Sequence, residues 1–339
     1  TIVRISETPL YVVENEISRF YDKCHGNNIS PSVRFASDSR EDRVRFAKKT
    51  RQICNDDMSG MRQIYDKNHM IISIDTEKAY EKVWFKEGSP LEVYTHRQAE
   101  ALAKHLPDVI VHHAMTYGNP SVADVLAELK SQGVGKLLVI PLYPQYAGSS
   151  TGAALDKVFQ ELLLQRNQMS VRTVSRYYDD AAYIQAMKQH IEAYWAQNGR
   201  GEKLMLSFHG IPQKHHDDGD PYPDECHHTA KLLAQALGLS EQEYIVSFQS
   251  QFGKSQWIKP STQALFDQLP KQGTTKLDVF CPGFLADCLE TMEEIAIMGR
   301  EQFHAAGGKE YRYIPCLNDS ANWIAALAQL SRANLQGWI

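Results

Sequence analysis

Leu204-Met-Leu-Ser-Phe-His209-Gly-Ile-Pro212 reads as an apolar strand that stops on a histidine and a glycine. Further along, Cys281-Pro-Gly-Phe-Leu-Ala-Asp287-Cys-Leu-Glu290-Thr-Met-Glu-Glu294 reads as a strand end, a Pro-Gly turn and a helix whose first two turns carry carboxylates. Two neighbouring βα units of this kind present an imidazole and a carboxylate cluster at the same edge of one sheet. Open α/β sheets bind ligands at the carboxyl ends of their strands. An acid-rich pocket with one histidine suits proton abstraction, divalent metal handling, or both.

Outward from these two units the pattern repeats. Strands are expected at 109–115, 136–140, 171–175, 203–208, 244–248, 277–281 and 311–314. Between and after them lie helical stretches near 121–132, 151–166, 180–197, 224–237, 260–270, 287–305 and 319–335. Strict βα alternation implies parallel sheet, right-handed crossovers and helices on both faces. Residues 1–76 differ. They are rich in Arg, Lys, Asp, Asn and Ser, with strand-like pieces only at 1–5, 10–13 and 70–74. The chain shows no internal repeat and no low-complexity tract.

Composition narrows the class. The 339 residues hold one large or two ordinary domains. Hydrophobic content of 43% with 23% charge is that of a soluble globular protein, and a net charge of −5 offers nucleic acid no electrostatic footing. No apolar run approaches membrane-spanning length, and the amino terminus lacks a secretory h-region. Six cysteines without short paired spacings point to a reduced, cytoplasmic protein rather than a disulfide framework.

Each chemically suggestive group has a bland counterpart. His209 is either a functional base or a turn residue hydrogen-bonded in place, with Gly210 allowing a close backbone approach. Asp287, Glu290 and Glu294 are three and four apart, so an α-helix stacks them on one face, with Cys288, Leu289, Met292 and Ile295 on another. That row is either a solvated acidic stripe favoured by the helix dipole or a set of hard oxygen ligands and proton acceptors. Its place outside a strand end favours the second. Cys288 reads as inert packing. Tyr143, Tyr146, Trp257 and Phe284 follow strand ends, where aromatics serve a core or a flat apolar ligand. His215-His216-Asp217-Asp218 with Cys226-His227-His228 lacks the paired spacing of a structural zinc site and reads as a polar loop. Gly133-Val-Gly135-Lys136 fails as a phosphate loop, and no strand is followed by a dinucleotide-binding glycine fingerprint.

Phe208-His209-Gly210, Gly219-Asp-Pro-Tyr-Pro223, Phe248-Gln-Ser-Gln-Phe-Gly253, Trp257 and Pro282-Gly-Phe-Leu-Ala-Asp-Cys-Leu-Glu-Thr291 also occur together, and in this order, in the ferrochelatases. So do Trp84-Phe-Lys-Glu-Gly-Ser-Pro90, Tyr117-Gly-Asn-Pro120 and Tyr143-Pro-Gln-Tyr146. From about Tyr80 to Trp338 the chain resembles that family, most strongly its bacterial members, whereas residues 1–76 do not match it. The resemblance implies two Rossmann-like, doubly wound parallel-sheet lobes facing across a cleft. The first would span 77–178 with a final helix, 318–339, returning to it, and the second 179–317.

The function implied is insertion of Fe²⁺ into protoporphyrin IX in haem biosynthesis, with two protons released. His209 would accept a pyrrole proton, and His209 and Glu290 would face the metal. Asp287 and Glu294 would relay protons or metal, and Tyr143, Tyr146, Trp257 and Phe284 would line the porphyrin site. Family members with a two-iron cluster hold it by cysteines. Gly148 stands at one such position and no cysteine follows Cys316, so no cluster and no dissociable cofactor is expected. The partners are protoporphyrin IX and ferrous iron, with peripheral membrane contact left open. The family's amino-terminal strand and Asn-Leu-Gly-Thr-Pro loop are missing here, apart from Thr8-Pro9. Either 1–5 or 70–74, the former preferred, is expected to fill the strand's place. Two alternatives stay open: a catalytically impaired porphyrin- or haem-binding protein, and a chelatase acting on another tetrapyrrole such as coproporphyrin III.

Overall fold

The structure is a computed structural model that describes the backbone of Ile2–Ser6 together with residues 80–251 and 255–339. Thr1–Glu7 and Ser89–Ile339 make one compact unit, and Thr8–Gly88 separates as a second. Within the described part of the second unit, Trp84 stacks edge-on against Tyr80 and the Phe85 and Gly88 main chains close a turn.

The first unit contains two four-stranded parallel sheets. One comprises β1 (Ile2–Ser6), β2 (Val111–Met115), β3 (Lys136–Pro141) and β4 (Ser170–Thr173), in the order β2-β1-β3-β4. Its helices are α1 (Pro90–His105), α2 (Val122–Ser131) and α3 (Ala153–Leu163). After α4 (Ala181–Asn198) come β5 (Lys203–His209), β6 (Tyr244–Gln249), β7 (Lys276–Phe280) and β8 (Glu310–Tyr313), ordered β6-β5-β7-β8. They are linked by α5 (Gln213–Asp217), α6 (Tyr222–Ala236), α7 (Thr262–Lys271), α8 (Leu289–Thr291) and α9 (Arg300–Ala305). The last helix, α10 (Ala321–Leu335), packs on α1 and α4. Helix starts follow local chemistry: Ser89, Ser121, Asp180 and Ser261 each accept a bond from the main chain three residues on.

Alternation along the strands sorts the core. On β3, Leu137 and Val139 face a cluster with Val125, Leu129 and Val158 outside the first sheet. Leu138 and Ile140 face a second cluster, shared with Leu204, Leu206 and Phe208 of β5 and with Trp323 and Leu327 of α10. Met205, Leu277 and Val279 point into a third, with Phe266 and Phe303. Both faces of each sheet are therefore covered, as parallel sheets require. The expected strands and helices appear within a few residues of their predicted bounds. α1 adds a helix upstream of the alternating pattern.

Among the amino-terminal candidates, 1–5 supplies the strand. β1 lies between β2 and β3, with Val3 paired to His112 and to Val139. The candidates at 10–13 and 70–74 lie outside the described residues.

The stretch 287–305 departs from expectation. It is not one α-helix but α8, a π-helix over Met292–Gly299, then α9. Asp287 and Cys288 precede it outside the helix, with Cys288 as an extended N-cap at φ −148°, ψ −174°. Asp287 therefore does not belong to a helical row. At the far end Gly299 is required by close approach, because a Cβ there would meet Phe266 at 2.7 Å and the Tyr311 hydroxyl at 2.8 Å. No helix among the described residues is long and apolar enough to cross a membrane.

Candidate active site

His209 ends β5 and pairs with Gln249 at the end of β6. Its Nδ1–H donates to the Gly210 carbonyl at 2.6 Å, which leaves Nε2 as the ring's acceptor. Burial lowers its pKa from 6.5, with the Gly210 carbonyl opposing, so the neutral form is favoured. The Phe284 ring centroid lies 6.4 Å away, and the Tyr222 side chain lies beside the His209 main chain. Gly210 does permit a close approach, but to protein. A Cβ would sit 2.9 Å from the Gln249 carbonyl and 3.1 Å from the Trp257 ring.

A buried polar network joins this strand end to the carboxylates. Ser207 donates to Gln249 Oε1 at 2.8 Å and meets Thr262 Oγ1 at 2.9 Å, and Thr262 donates to Ser247. Gln249 Nε2 then donates to the Glu290 carbonyl at 2.7 Å, tying α8 to β6. The Glu290 amide and the Cys288 thiol favour its charged form, while its Oε2 is buried and has no hydrogen-bond partner among the described residues. Burial pushes its pKa up to about 7, with Glu294 adding to the rise. A buried bare oxygen of this kind is an acceptor waiting for a proton or a cation.

The other two carboxylates are engaged. Asp287 accepts from the Tyr313 hydroxyl, from Asn318 Nδ2 at 2.6 Å, from Thr291 Oγ1 at 3.1 Å and from the Cys316 amide at 3.3 Å. Glu294 accepts from the Ser250 amide at 2.8 Å, from Ser250 Oγ at 2.6 Å and from Gln263 Nε2. Ser250 takes φ +58° to make both contacts. The expected acidic row thus resolves into one carboxylate with a free oxygen and two that are hydrogen-bonded to other residues. Glu293, between them, is buried rather than solvent-facing.

The four aromatics divide between the sheets. Tyr143 and Tyr146 sit on the loop after β3, Tyr143 against the first sheet's outer cluster and Tyr146 with the Arg176 guanidinium 5.1 Å over its ring. Trp257 and Phe284 belong to the second sheet, Trp257 through a bridge to Pro212. The His215 to His228 segment forms α5 and the start of α6, with Cys226 buried in the core. Among the described residues no cluster of His, Cys, Asp or Glu could hold a metal ion by itself. Sequence reasoning overlooked Gln249, Ser250 and Tyr222. The first two lie inside the Phe-Gln-Ser-Gln-Phe-Gly motif, which was the signal available for them.

Two facing α/β sheets with titratable groups at their strand ends define a chelatase-type fold. SirB from Bacillus subtilis with Fe³⁺ superposes with a TM-score of 0.55 at 12% identity, covering 74% of this chain and 93% of that one. The sirohydrochlorin chelatase SirB of Bacillus subtilis subspecies spizizenii, in complex with cobalt, gives 0.52 at 10% identity, covering 74% and 93%. At these identities the likeness is one of fold. The Ferrochelatase family model matches residues 69–335. Over 260 residues the chain is 76% identical to a ferrochelatase of Neisseria meningitidis serogroup C and 77% identical to one of Neisseria gonorrhoeae, covering 77% of this chain and 77% of each relative. The chain belongs to the ferrochelatase family. Its activity is that of a metal-chelating enzyme that inserts iron into a porphyrin.

Proposed function

We propose that the tetrapyrrole is protoporphyrin IX and that His209 and Glu290 carry the chemistry, with Asp287 and Glu294 as the carboxylates behind Glu290. The porphyrin enters with two N–H protons and leaves with none, so the site must accept two protons as Fe²⁺ binds the nitrogens. A neutral imidazole with Nε2 unprotonated is a competent first acceptor. A carboxylate poised near neutrality takes the second proton or balances the charge of incoming iron. The observation that carries this reading is the bare, buried Oε2 of Glu290, a residue whose main-chain carbonyl accepts from Gln249, the strand partner of His209. Tyr143, Tyr146, Trp257 and Phe284 offer π surface to a flat macrocycle. The reaction needs no dissociable cofactor and no iron–sulfur cluster, and the enzyme works in the cytoplasm.

Absorption spectra of the purified protein with protoporphyrin IX or coproporphyrin III, with and without Fe²⁺, test the assignment. Protoporphyrin is expected to be metallated faster. His209→Ala is expected to lower turnover by roughly 10²-fold or more, the usual scale of a lost acid–base group, while porphyrin binding is kept. Turnover within a few-fold of wild type would remove His209 from the mechanism. Binding without metallation by the wild-type chain would mark it as a carrier. Stoichiometric iron with acid-labile sulfide in haem-free protein would overturn the cofactor assignment.

A further inference from the structure

The loop after β3 carries Tyr143 and Tyr146, yet it is held largely by residues of the second lobe. Gln145 Nε2 donates to Thr229 Oγ1 at 2.9 Å, the Tyr146 amide to Glu225 Oε2 at 2.7 Å, and the Gly148 amide to Asp220 Oδ2 at 2.8 Å. All three acceptors lie on α6 or immediately before it. Glu225 is only 5% exposed, and both its oxygens are used, because Arg176 Nη1 donates to Oε1 at 2.8 Å. The same Arg176 guanidinium lies over the Tyr146 ring, so one carboxylate sets both the main chain of Tyr146 and, through Arg176, the orientation of its ring. α6 also carries Tyr222, whose side chain lies beside the His209 main chain. The helix that backs the proposed base therefore also grips the loop facing it from the other lobe.

We infer that Glu225 is a positioning residue for iron insertion: with Arg176 it fixes the loop carrying Tyr143 and Tyr146 relative to the strand end carrying His209. This inference rests on the reading that the loop's tyrosines line the porphyrin site. Ordinary structural glue would make the same contacts, but its loss has a different kinetic signature. A smaller folded fraction lowers apparent kcat and leaves KM unchanged, whereas a displaced binding loop raises the porphyrin KM.

Steady-state kinetics of the full chain, varying protoporphyrin IX and Fe²⁺ separately, decide between them. Glu225→Gln turns one acceptor oxygen into a donor facing another donor. It is expected to raise the porphyrin KM about tenfold, the equivalent of one charge-assisted hydrogen bond. The Fe²⁺ KM is expected to stay within about twofold of wild type, with RT as the scale. Arg176 has a side chain 48% exposed, so Arg176→Gln serves if Glu225→Gln does not fold. Arg176→Gln is expected to raise the porphyrin KM several-fold, and Arg176→Lys, which keeps the charge, to restore most of it. Tyr143→Leu separates the two ideas. If it raises the porphyrin KM while Glu225→Gln and Arg176→Gln do not, the positioning role is overturned and the reading of the loop stands. If none of the three moves the porphyrin KM, that reading fails and the inference falls with it.

Discussion

Burial acts on His209 and Glu290 with the same result, since lowering an imidazole pKa and raising a carboxyl pKa both favour the neutral form. The uncharged imidazole is the form that can accept a proton, whereas Glu290, with a pKa of about 7, can accept one only once it is ionised. Turnover is expected to rise with pH through about 7, as Glu290 ionises, and then to level. Glu290→Gln should abolish that rise and cost roughly 10²-fold in turnover, as a pH–rate profile would show. The stability consequence has the opposite sign. An acid whose folded pKa, about 7, lies above its ordinary value of 4.5 binds more protons folded than unfolded. Stability therefore falls as pH rises between those values. Glu290→Gln is expected to raise Tm at pH 8, with the gain vanishing towards pH 4.5. A variant that is slower and no more stable at pH 8 would mean that Glu290 does not bear a burial penalty. Glu293→Gln cannot serve as an inert comparison, because Glu293 is itself buried.

At the scale of elements, the departure at 287–305 has a local cause. Asp287 is held by Tyr313, Cys316 and Asn318 at the end of β8, which keeps its backbone outside the helix. A π-helix then carries Glu294 to Ser250 and Gln263. Spacing in the sequence predicts three carboxylates on one face only if the helix is α throughout. π turns are set by packing, here by Phe266 and Tyr311 against Gly299, which no periodicity reports. Asp287→Ala should lower stability by about 3 kcal/mol or more, since it leaves several buried donors without an acceptor, and urea unfolding would measure it. β1 was legible as a strand from 1–5. Its interior place was expected only from the family resemblance, which implies a strand there, because buried backbone groups cannot be left unpaired. Val3→Pro removes an amide between two partner strands and should cost ~3 kcal/mol or more, read from the same unfolding curves. An unchanged midpoint would show that β1 is not an interior strand in solution.

For the whole molecule, the open question is what residues 1–76 do for catalysis. They lack the family's Asn-Leu-Gly-Thr-Pro loop, although β1 supplies a strand in the first sheet. Replacing 1–76 with a family segment that bears this loop is expected to lower the porphyrin KM and raise turnover, measured by the same metallation assay. Equal rates for the natural and grafted chains would show that the native segment is a working substitute. Leu204, Leu206 and Phe208 share one buried cluster with Leu138 and Ile140 of β3 and with Trp323 and Leu327 of α10.

Alternating strand and helix patterns determined the parallel α/β class, and the motifs around His209 and Asp-Cys-Leu-Glu-Thr determined the family, whose resemblance implied the two lobes. These are properties of short stretches, because period-two and helical burial, turn residues and strand termini are written locally. Which carboxylate keeps a free oxygen and which residues grip the facing loop were decided only by tertiary structure. Each depends on a partner far away in sequence: Asn318 for Asp287, Ser250 and Gln263 for Glu294, and Glu225 for Tyr146. A side chain's charge and basicity are set by the donors and the desolvation that folding brings to it, and spacing along the chain carries no record of either.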